Sequence, residues 1–207
     1  MSLPRPAFIF ALACALAWAA GMVDAAATEL RIVSAGAVRS VLRAMSDDYA
    51  RQTGHTLRFV FSSTGELRRI IAAGEPADLV ITAAAVMSEL ERSGRLVAGS
   101  RVDIGRVGMG VVVRDGTPVP DVSSADAVKR VLVAAGSISY TDPKLGGASY
   151  VHLMKIAERF GIAEAVKAKG VHATGGDDAA AKVASGQADV AVVLVSEINA
   201  KGAVLAG

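Results

Sequence analysis

The sequence predicts an α/β protein of two lobes, each built on a mostly parallel sheet with flanking helices. Short apolar runs alternate with segments whose apolar residues recur at helical spacing, from residue 30 almost to the end of the chain. Alternation of this kind is typical of parallel strands joined by crossover helices. The segment 96–105 interrupts the alternation with glycine and polar residues, so we place a boundary between two lobes there.

The first lobe is expected over residues 28–100. Its first strand is the apolar run Leu30–Val33, and the following helix carries Val38, Val41, Leu42, Met45 and Tyr49 on one face. The next strand and helix lie in the segment FVFSSTGELRRIIAAGEPADLVITA, residues 59–83, which also holds the third strand. We predict strands at 30–34, 56–61 and 78–82, and helices at 38–51, 65–73 and 85–93.

The second lobe is expected over residues 101–207, with the ligand cleft between the lobes. It resumes with the strand RVGMGVVVR, residues 106–114, and the prolines Pro118 and Pro120 then mark a loop before the next helix. The later helices are recognised by apolar faces such as Leu153, Met154, Ala157 and Phe160. We predict helices at 124–132, 149–160 and 178–185, and strands at 137–141, 169–172 and 189–194.

Residues 1–27 have the features of a cleaved signal peptide. Arg5 is followed by the apolar stretch Ala7–Ala20 and by three alanines that suit a signal peptidase. A membrane anchor needs about 20 apolar residues, which is longer than this stretch. Leu12-Ala13-Cys14 is faintly similar to a lipoprotein cleavage site, but the residues after it stay apolar. We therefore expect a periplasmic protein that begins near Thr28 and lacks cysteine.

Composition excludes several classes of partner. The formal net charge is only +2 and aromatic residues make up 4% of the chain, so neither a basic nucleic-acid surface nor a platform of stacking rings is expected. The sequence contains no metal-ligand cluster, no Ser/His/Asp order and no phosphate-loop motif. We expect no cofactor and no metal.

Four predicted strand-to-helix turns are rich in glycine and in hydroxyl side chains: the first is 34–37, the second 62–65, the third 142–149 and the fourth 174–177. Backbone N–H groups at the start of a helix lack intrahelical partners and carry partial positive charge, so such turns favour anions. The carboxyl ends of parallel strands also form the usual binding edge of an open α/β sheet. The alternative is that these hydroxyls only cap helices. The expected ligand-binding residues are Ser34, Gly36, Ala37, Ser63, Thr64, Gly147, Ser149 and Gly176.

Four segments carry a resemblance to a known family: IVSAGAV, FVFSSTGELRRIIAAGEPADLVITA, YTDPKLGGAS and ASGQADVAVVLVSE. From about residue 30 onward the chain resembles the molybdate-binding-protein-like branch of the substrate-binding proteins of bacterial ABC importers, which have the type II periplasmic binding protein fold. The resemblance implies a monomer whose lobes close over a small anion, an oxyanion or a carboxylate, and deliver it to an ABC permease in the inner membrane.

The resemblance also implies which positions hold the oxyanion. The family's second serine falls on Thr64, and its main-chain donors fall near Ser149 and Gly176. Its first serine falls on Ala37 and its tyrosine on Leu194, so two side-chain donors are missing and weak molybdate binding is expected. Ser34 either replaces a missing donor or bonds its own backbone. The family continues into a further strand and helix that return to the first lobe, whereas only residues 199–207 remain here, which suggests a fragment or a shortened paralogue.

Two other functions stay open. A few relatives of this fold are thought to isomerise small polycarboxylates, as aconitate-isomerase-like enzymes do, and that reaction needs a base beside the substrate. Of the three histidines, His172 ends a predicted strand close to the fourth turn, and His152 lies one turn into a predicted helix and is positioned to face the cleft, although lone histidines are more often structural. The other alternative is a shortened paralogue that binds nothing.

Overall fold

A computed structural model describes residues 27–206. The predicted signal peptide, including Cys14, therefore lies outside the described residues except for its last residue. The first sheet contains three parallel strands in the order β2-β1-β3. Its elements in chain order are β1 (Glu29–Ala35), α1 (Arg39–Thr53), β2 (Thr56–Ser62), α2 (Thr64–Ala72), β3 (Leu79–Ile81) and α3 (Ala84–Arg92).

The second sheet has five strands in the order β6-β5-β7-β4-β8. Strand β5 runs parallel to β6 and β7, while β4 runs antiparallel to both β7 and β8. The elements are β4 (Met109–Arg114), α4 (Ala125–Ala134), β5 (Ile138–Thr141), α5 (Ala148–Arg159), α6 (Ala163–Ala168), β6 (Gly170–Ala173), α7 (Gly176–Ala184), β7 (Val190–Leu194) and β8 (Ala203–Leu205). The predicted α/β class is confirmed. The first sheet is parallel throughout, whereas the second is mixed, with two parallel and two antiparallel pairings, because β4 runs against its neighbours.

Each sheet has its own hydrophobic core. Val33 on β1 packs with Leu67 and Ile71 of α2, and with Val86 and Leu90 of α3. In the second sheet, alternate residues of a strand face opposite sides, so the two faces bury different clusters. One face is filled by large side chains that include Tyr140, Leu132 and Leu153, and the other by small ones on α7. The alanines of α7 allow this helix to lie close to the sheet.

The observed elements differ from the predicted ones in three places. Helix α6 and strand β8 were not predicted, and the six residues of α6 are too few to show a helical period. Strand β4 begins at Met109 rather than at residue 106. Helix α7 begins at Gly176, two residues earlier than predicted, so its first turn includes residues that the sequence assigned to a loop.

None of the helices in the described part of the chain is long and apolar enough to cross a membrane.

Candidate functional site

The strand registers place the four glycine-rich turns side by side in two pairs. Ala35 at the end of β1 is level with Ser62 at the end of β2, so the first and second turns are neighbours. Thr141 at the end of β5 is level with Ala173 at the end of β6, so the third and fourth turns are neighbours as well. Adjacent strands lie about 4.8 Å apart, which sets the spacing within each pair.

The second turn is in direct contact with the third turn, on the other sheet. The Ser63 hydroxyl donates to the carbonyl of Leu145 at 2.5 Å. A Cβ added at Gly65 would lie 2.6 Å from the same carbonyl oxygen, and Gly146, in the left-handed conformation, would bring a Cβ within 3.3 Å of the Gly65 Cα. Glycine at both positions therefore lets the two backbones approach.

The first turn meets the fourth turn through the side chain of Glu197. Glu197 ends a short 3₁₀ turn, Val195–Glu197, that contacts the 3₁₀ turn Gly36–Val38 after β1. A Cβ at Gly36 would lie 3.3 Å from Oε1 of Glu197, and a Cβ at Gly176 would overlap Oε2 and lie 2.6 Å from Cδ. The carboxyl group is thus enclosed between the start of α7 and the first turn.

Two charged neighbours surround this carboxyl group. The Arg39 guanidinium donates to Asp177 at 3.1 Å and lies over the ring of Phe61, 5.2 Å from its centroid. Oε2 of Glu197 is buried and has no hydrogen-bond partner within residues 27–206. Burial raises the pKa of Glu197, and the Asp177 charge raises it further, while the Leu194 backbone and the Arg39 charge act in the opposite direction. A part of the Glu197 population therefore holds its proton at higher pH than an exposed glutamate.

The hydroxyl groups of Ser34 and Ser149 are buried and already engaged. Ser34 is fully buried and donates to the carbonyl of Ala35 at 3.0 Å, which is the backbone bond that the sequence left as one alternative. Ser149 lies 3.3 Å from the Thr141 hydroxyl. The Ser149 hydroxyl therefore already has a partner, and the main-chain N–H near Ser149 stays the donor that the resemblance predicts.

Ser63 and Thr64 differ in their hydrogen bonds: Ser63 caps a helix, whereas the Thr64 hydroxyl has no partner among the described residues. Ser63 is the N-cap of α2 and accepts from the N–H of Glu66 at 3.2 Å, so the alternative in which Thr64 caps this helix is wrong. The half-buried Thr64 hydroxyl makes no hydrogen bond to any described residue. Of the predicted site hydroxyls, Thr64 is the one that is free for a ligand.

Three other positions of the predicted site have no polar side-chain atom, so only their backbone groups could contact a ligand. Gly147 is the N-cap of α5, where a Cβ would lie 2.7 Å from the Thr141 side chain. Ala37 lies in the 3₁₀ turn after β1, and Leu194 ends β7 opposite Met109. Neither Ala37 nor Leu194 has a polar side-chain atom, so both positions lack the donor that the family places there.

Sequence reasoning missed Arg39 and Glu197 as site residues. A signal for Arg39 was present, because a basic residue at the first position of a helix opposes the helix dipole and needs another reason to be there. Glu197 is the first acidic residue after the apolar strand β7, VAVVL, although only the tertiary structure brings it to Gly36 and Gly176.

None of the three histidines lies in the cluster around Glu197. His152 is exposed on α5, and His55 accepts from the N–H of Thr28. His172 is half-exposed and its Nδ1 lies 3.9 Å from Asp142. The structure therefore gives no support to the expectation that His152 faces the cleft.

Other features of the described residues do not add to this site. No group of three or more His, Cys, Asp or Glu in residues 27–206 is placed to hold a metal ion. A cavity of about 930 Å³ lies along the edge strand β3 and the loop that follows α3, and a groove of about 580 Å³ lies between β4 and α4. The first reaches Ile81, Thr82 and Ala84 at the carboxyl end of β3, where Ile81 is level with Ser34, but its lining includes none of the residues of the four turns, and neither does that of the second.

The meeting of the turns brings together groups of both signs. The starts of α2, α5 and α7, the Thr64 hydroxyl and the Arg39 guanidinium are all groups that attract negative charge. The carboxyl groups of Glu197 and Asp177 have the opposite effect, and Asp177 already pairs with Arg39.

Comparison with known families gives one clear match. The family described as bacterial extracellular solute-binding proteins matches residues 30–206. In addition, an aconitate isomerase from a Pseudomonas species is 32% identical over 179 residues, which is 84% of this chain and 66% of that protein. The chain therefore spans slightly less than two thirds of that relative's length.

Solved structures with the same fold include two binding proteins for metal oxyanions. The periplasmic molybdate-binding protein of Azotobacter vinelandii has a TM-score of 0.66 at 22% identity, covering 81% of this chain and 72% of that one. The tungstate ABC transporter structure from Geobacter sulfurreducens also has a TM-score of 0.66, at 15% identity, covering 86% and 79%. At these identities the likeness establishes the shared fold.

Proposed function

The chain belongs to the bacterial extracellular solute-binding proteins, and on that premise we propose that it captures a small anion in a cleft between two lobes for an ABC importer. The cleft is the meeting of the turns after β1 and β2 with those after β5, β6 and β7. The observation that carries the proposal is the convergence of three helix starts there, with Thr64 and Arg39 beside them. Ligand-binding groups are Thr64, Arg39 and the N–H groups near Gly36, Ser149 and Gly176.

The same proposal specifies the chemical class of the anion and the location of the protein. The anion is a carboxylate or an oxyanion, because N–H groups and a guanidinium satisfy oxygen lone pairs well. The protein works as a monomer in the periplasm and passes its ligand to a membrane permease. Genes for a permease and an ATPase next to this one would support the transport role.

Thermal-shift screening of the mature protein with a panel of anions tests the proposal. A ligand at about 100 times its dissociation constant stabilises the folded state by roughly 2.7 kcal/mol, which raises the melting temperature measurably. We expect at least one carboxylate or oxyanion to do so. A panel of phosphate, sulfate, molybdate, malate, succinate, citrate and tricarballylate without any stabilising member would contradict the proposal.

Molybdate itself is expected to bind weakly. Ala37 and Leu194 each leave one acceptor of a tetrahedral oxyanion without a side-chain donor, and a hydrogen bond to a charged group contributes about 1.5–3 kcal/mol. We expect the dissociation constants of molybdate and tungstate to lie above the micromolar range. Titration calorimetry that returned nanomolar affinity would show that other groups supply the missing donors.

Glu197 favours a second candidate, an isomerase of small polycarboxylates such as aconitate. The raised pKa of this enclosed carboxyl group suits a proton carrier, and a relative is named for that activity. In such a reaction the base removes a methylene proton, the double bond shifts by one position, and a proton returns to the far end of the allylic unit, with no change in composition. The Arg39 charge would hold a substrate carboxylate.

Proton NMR of cis- and trans-aconitate in deuterated buffer distinguishes the two functions. An isomerase interconverts the isomers and exchanges allylic protons, and Glu197→Gln abolishes both while Glu164→Gln, on an exposed side chain of α6, does not. A protein that is stabilised by an anion but leaves aconitate unchanged is a binding protein.

A further inference from the structure

The carboxyl group of Glu197 occupies the position where two of the anion-binding elements face each other. Its Oε1 lies against Gly36 in the first turn, and its Oε2 lies against Gly176 at the start of α7. Because a Cβ at Gly176 would overlap the carboxyl group, the contact is as close as backbone and side chain allow. Any anion that binds between these turns therefore has Glu197 as a neighbour.

The charges around Glu197 leave this carboxyl group without a cation of its own. Arg39 is the basic group near it, and its guanidinium already pairs with Asp177 at 3.1 Å. Asp177, on α7, adds a second negative charge on the same side. Oε2 is buried with no donor among the described residues, so its lone pairs are left for a ligand or a proton.

A second negative oxygen beside such a group is strongly disfavoured unless a proton lies between them. Two oxyanions in a poorly solvated site repel each other, which is why carboxyl pairs in close contact share one proton. A ligand hydroxyl, in contrast, donates to a carboxylate in a short, charge-assisted hydrogen bond. The same residue thus penalises one class of anion and favours another.

We propose that Glu197 determines the specificity of the site, admitting anions that carry an O–H donor and rejecting fully deprotonated anions that carry none. The favoured class comprises hydroxycarboxylates and partly protonated oxyanions, and the rejected class comprises sulfate, molybdate and simple dicarboxylates. The inference rests on the proposed anion-binding function and adds to it the chemical class of the ligand. The residues that face Glu197 in this argument are Gly36 and Arg39 on one side, and Gly176 and Asp177 on the other.

Three matched pairs of probes isolate the effect of the O–H group. Hydrogen phosphate and sulfate, malate and succinate, and citrate and tricarballylate each share charge and approximate size at about pH 8 but differ in one O–H group. Titration calorimetry should show tighter binding of the O–H member, by about tenfold, in every pair that binds. Glu197→Gln should reduce this preference by about tenfold, because its amide N–H₂ group donates to the anion that lacks a donor.

Glu164→Gln is the matched control, since Glu164 is exposed on α6 and pairs only with Lys167 at 2.8 Å. It should leave the preference unchanged. A folded Glu197→Gln protein that keeps the full preference overturns the inference while leaving the anion-binding function intact. If none of the six probes binds to the wild-type protein, the proposed function fails and the inference fails with it.

A measurement on the wild-type protein covers the case in which Glu197→Gln does not fold. Protonation turns Glu197 into a donor, so the affinity of sulfate, which itself stays fully deprotonated between about pH 8 and about pH 5, should rise as pH falls across this range. Sulfate is the probe for this measurement because the carboxylate probes gain protons of their own below about pH 6. A sulfate affinity that is constant or falls as pH is lowered overturns the inference.

Discussion

Ser63 and Thr64 are neighbours in sequence, but their hydroxyl groups have different partners. Ser63 caps α2 and also donates to Leu145 across the cleft, so it contributes to stability and to the contact between the two sheets. Thr64 has no hydrogen-bond partner among the described residues, so its hydroxyl adds nothing to the folded state that a methyl group would not. Substitutions at Ser63 and Thr64 therefore test stability and the proposed anion binding separately.

Thr64→Val keeps the side-chain shape and removes the donor. We expect anion affinity to fall by roughly 10- to 150-fold, which corresponds to about 1.5–3 kcal/mol for a lost hydrogen bond to a charged group. The melting temperature should stay nearly unchanged. Ser63→Ala is the comparison variant, and it should cost about 1 kcal/mol of stability through the lost cap. Unchanged affinity in Thr64→Val would remove Thr64 from the proposed site.

The titration of Glu197 links stability to pH with a definite sign. Its pKa in the folded protein is raised above the ordinary value of 4.5, so between these two values the folded state binds more protons than the unfolded state. Stability therefore falls as pH rises through that window. The stability of Glu197→Gln relative to wild type should increase from about pH 4.5 upward. Denaturation midpoints of both proteins at several pH values check this, and a constant or decreasing difference would contradict it.

At the scale of elements, the contact between the two sheets that forms the proposed cleft depends on glycines that let the backbones approach. Gly65 lies in the first turn of α2, where alanine is a better helix former by up to about 1 kcal/mol. A Cβ there would nevertheless lie 2.6 Å from the Leu145 carbonyl oxygen and 3.1 Å from the Gly146 Cα, and neither is a flexible group. The contact between the second and third turns, and not the helix, requires glycine at this position.

Gly65→Ala should keep the two sets of turns apart. We expect anion affinity to fall by at least about tenfold and overpacking to cost about 1–3 kcal/mol, less the gain in helix propensity. Gly105→Ala is the matched control, because a Cβ at Gly105 meets no atom within 4 Å. Calorimetric titration and thermal melting of both variants test the contact. If Gly65→Ala binds its anion as tightly as Gly105→Ala does, the closed contact is not needed for binding.

At the scale of the whole molecule, binding between two sheets implies that the cleft opens to admit its ligand. Apart from the close packing at Gly65 and around Glu197, the polar contacts between the turns of the two sheets are few: the Ser63–Leu145 hydrogen bond, a 3.3 Å hydrogen bond from Arg69 to the Lys144 carbonyl, and the half-exposed Arg39–Asp177 pair. Exposed or partly exposed ion pairs contribute about 0–1 kcal/mol each. Such a contact opens at low cost, which suits the hinge motion that we propose for the two lobes.

The proposed periplasmic role requires export, which the N-terminal sequence also predicts. We expect the mature protein to begin near Thr28 and to be recovered from the cell envelope, because Arg5, the apolar stretch after it and the alanine triplet are typical of a signal peptide. Intact-mass measurement of protein from periplasmic and cytosolic fractions is the appropriate assay. A full-length chain with Met1 in the cytosol would contradict export.

The sequence by itself determined the α/β class, the order of all strands longer than three residues, and the four turns at which helices begin. These features depend on local periodicity and on turn residues such as Ser63 and Gly147, which act within a few positions of the chain. Only the tertiary structure decided that Gly65 faces Leu145, that Ser149 is turned toward Thr141, and that Glu197 lies between Gly36 and Gly176. The partners in these contacts lie on different elements, and a side chain's environment there depends on packing that no local pattern encodes.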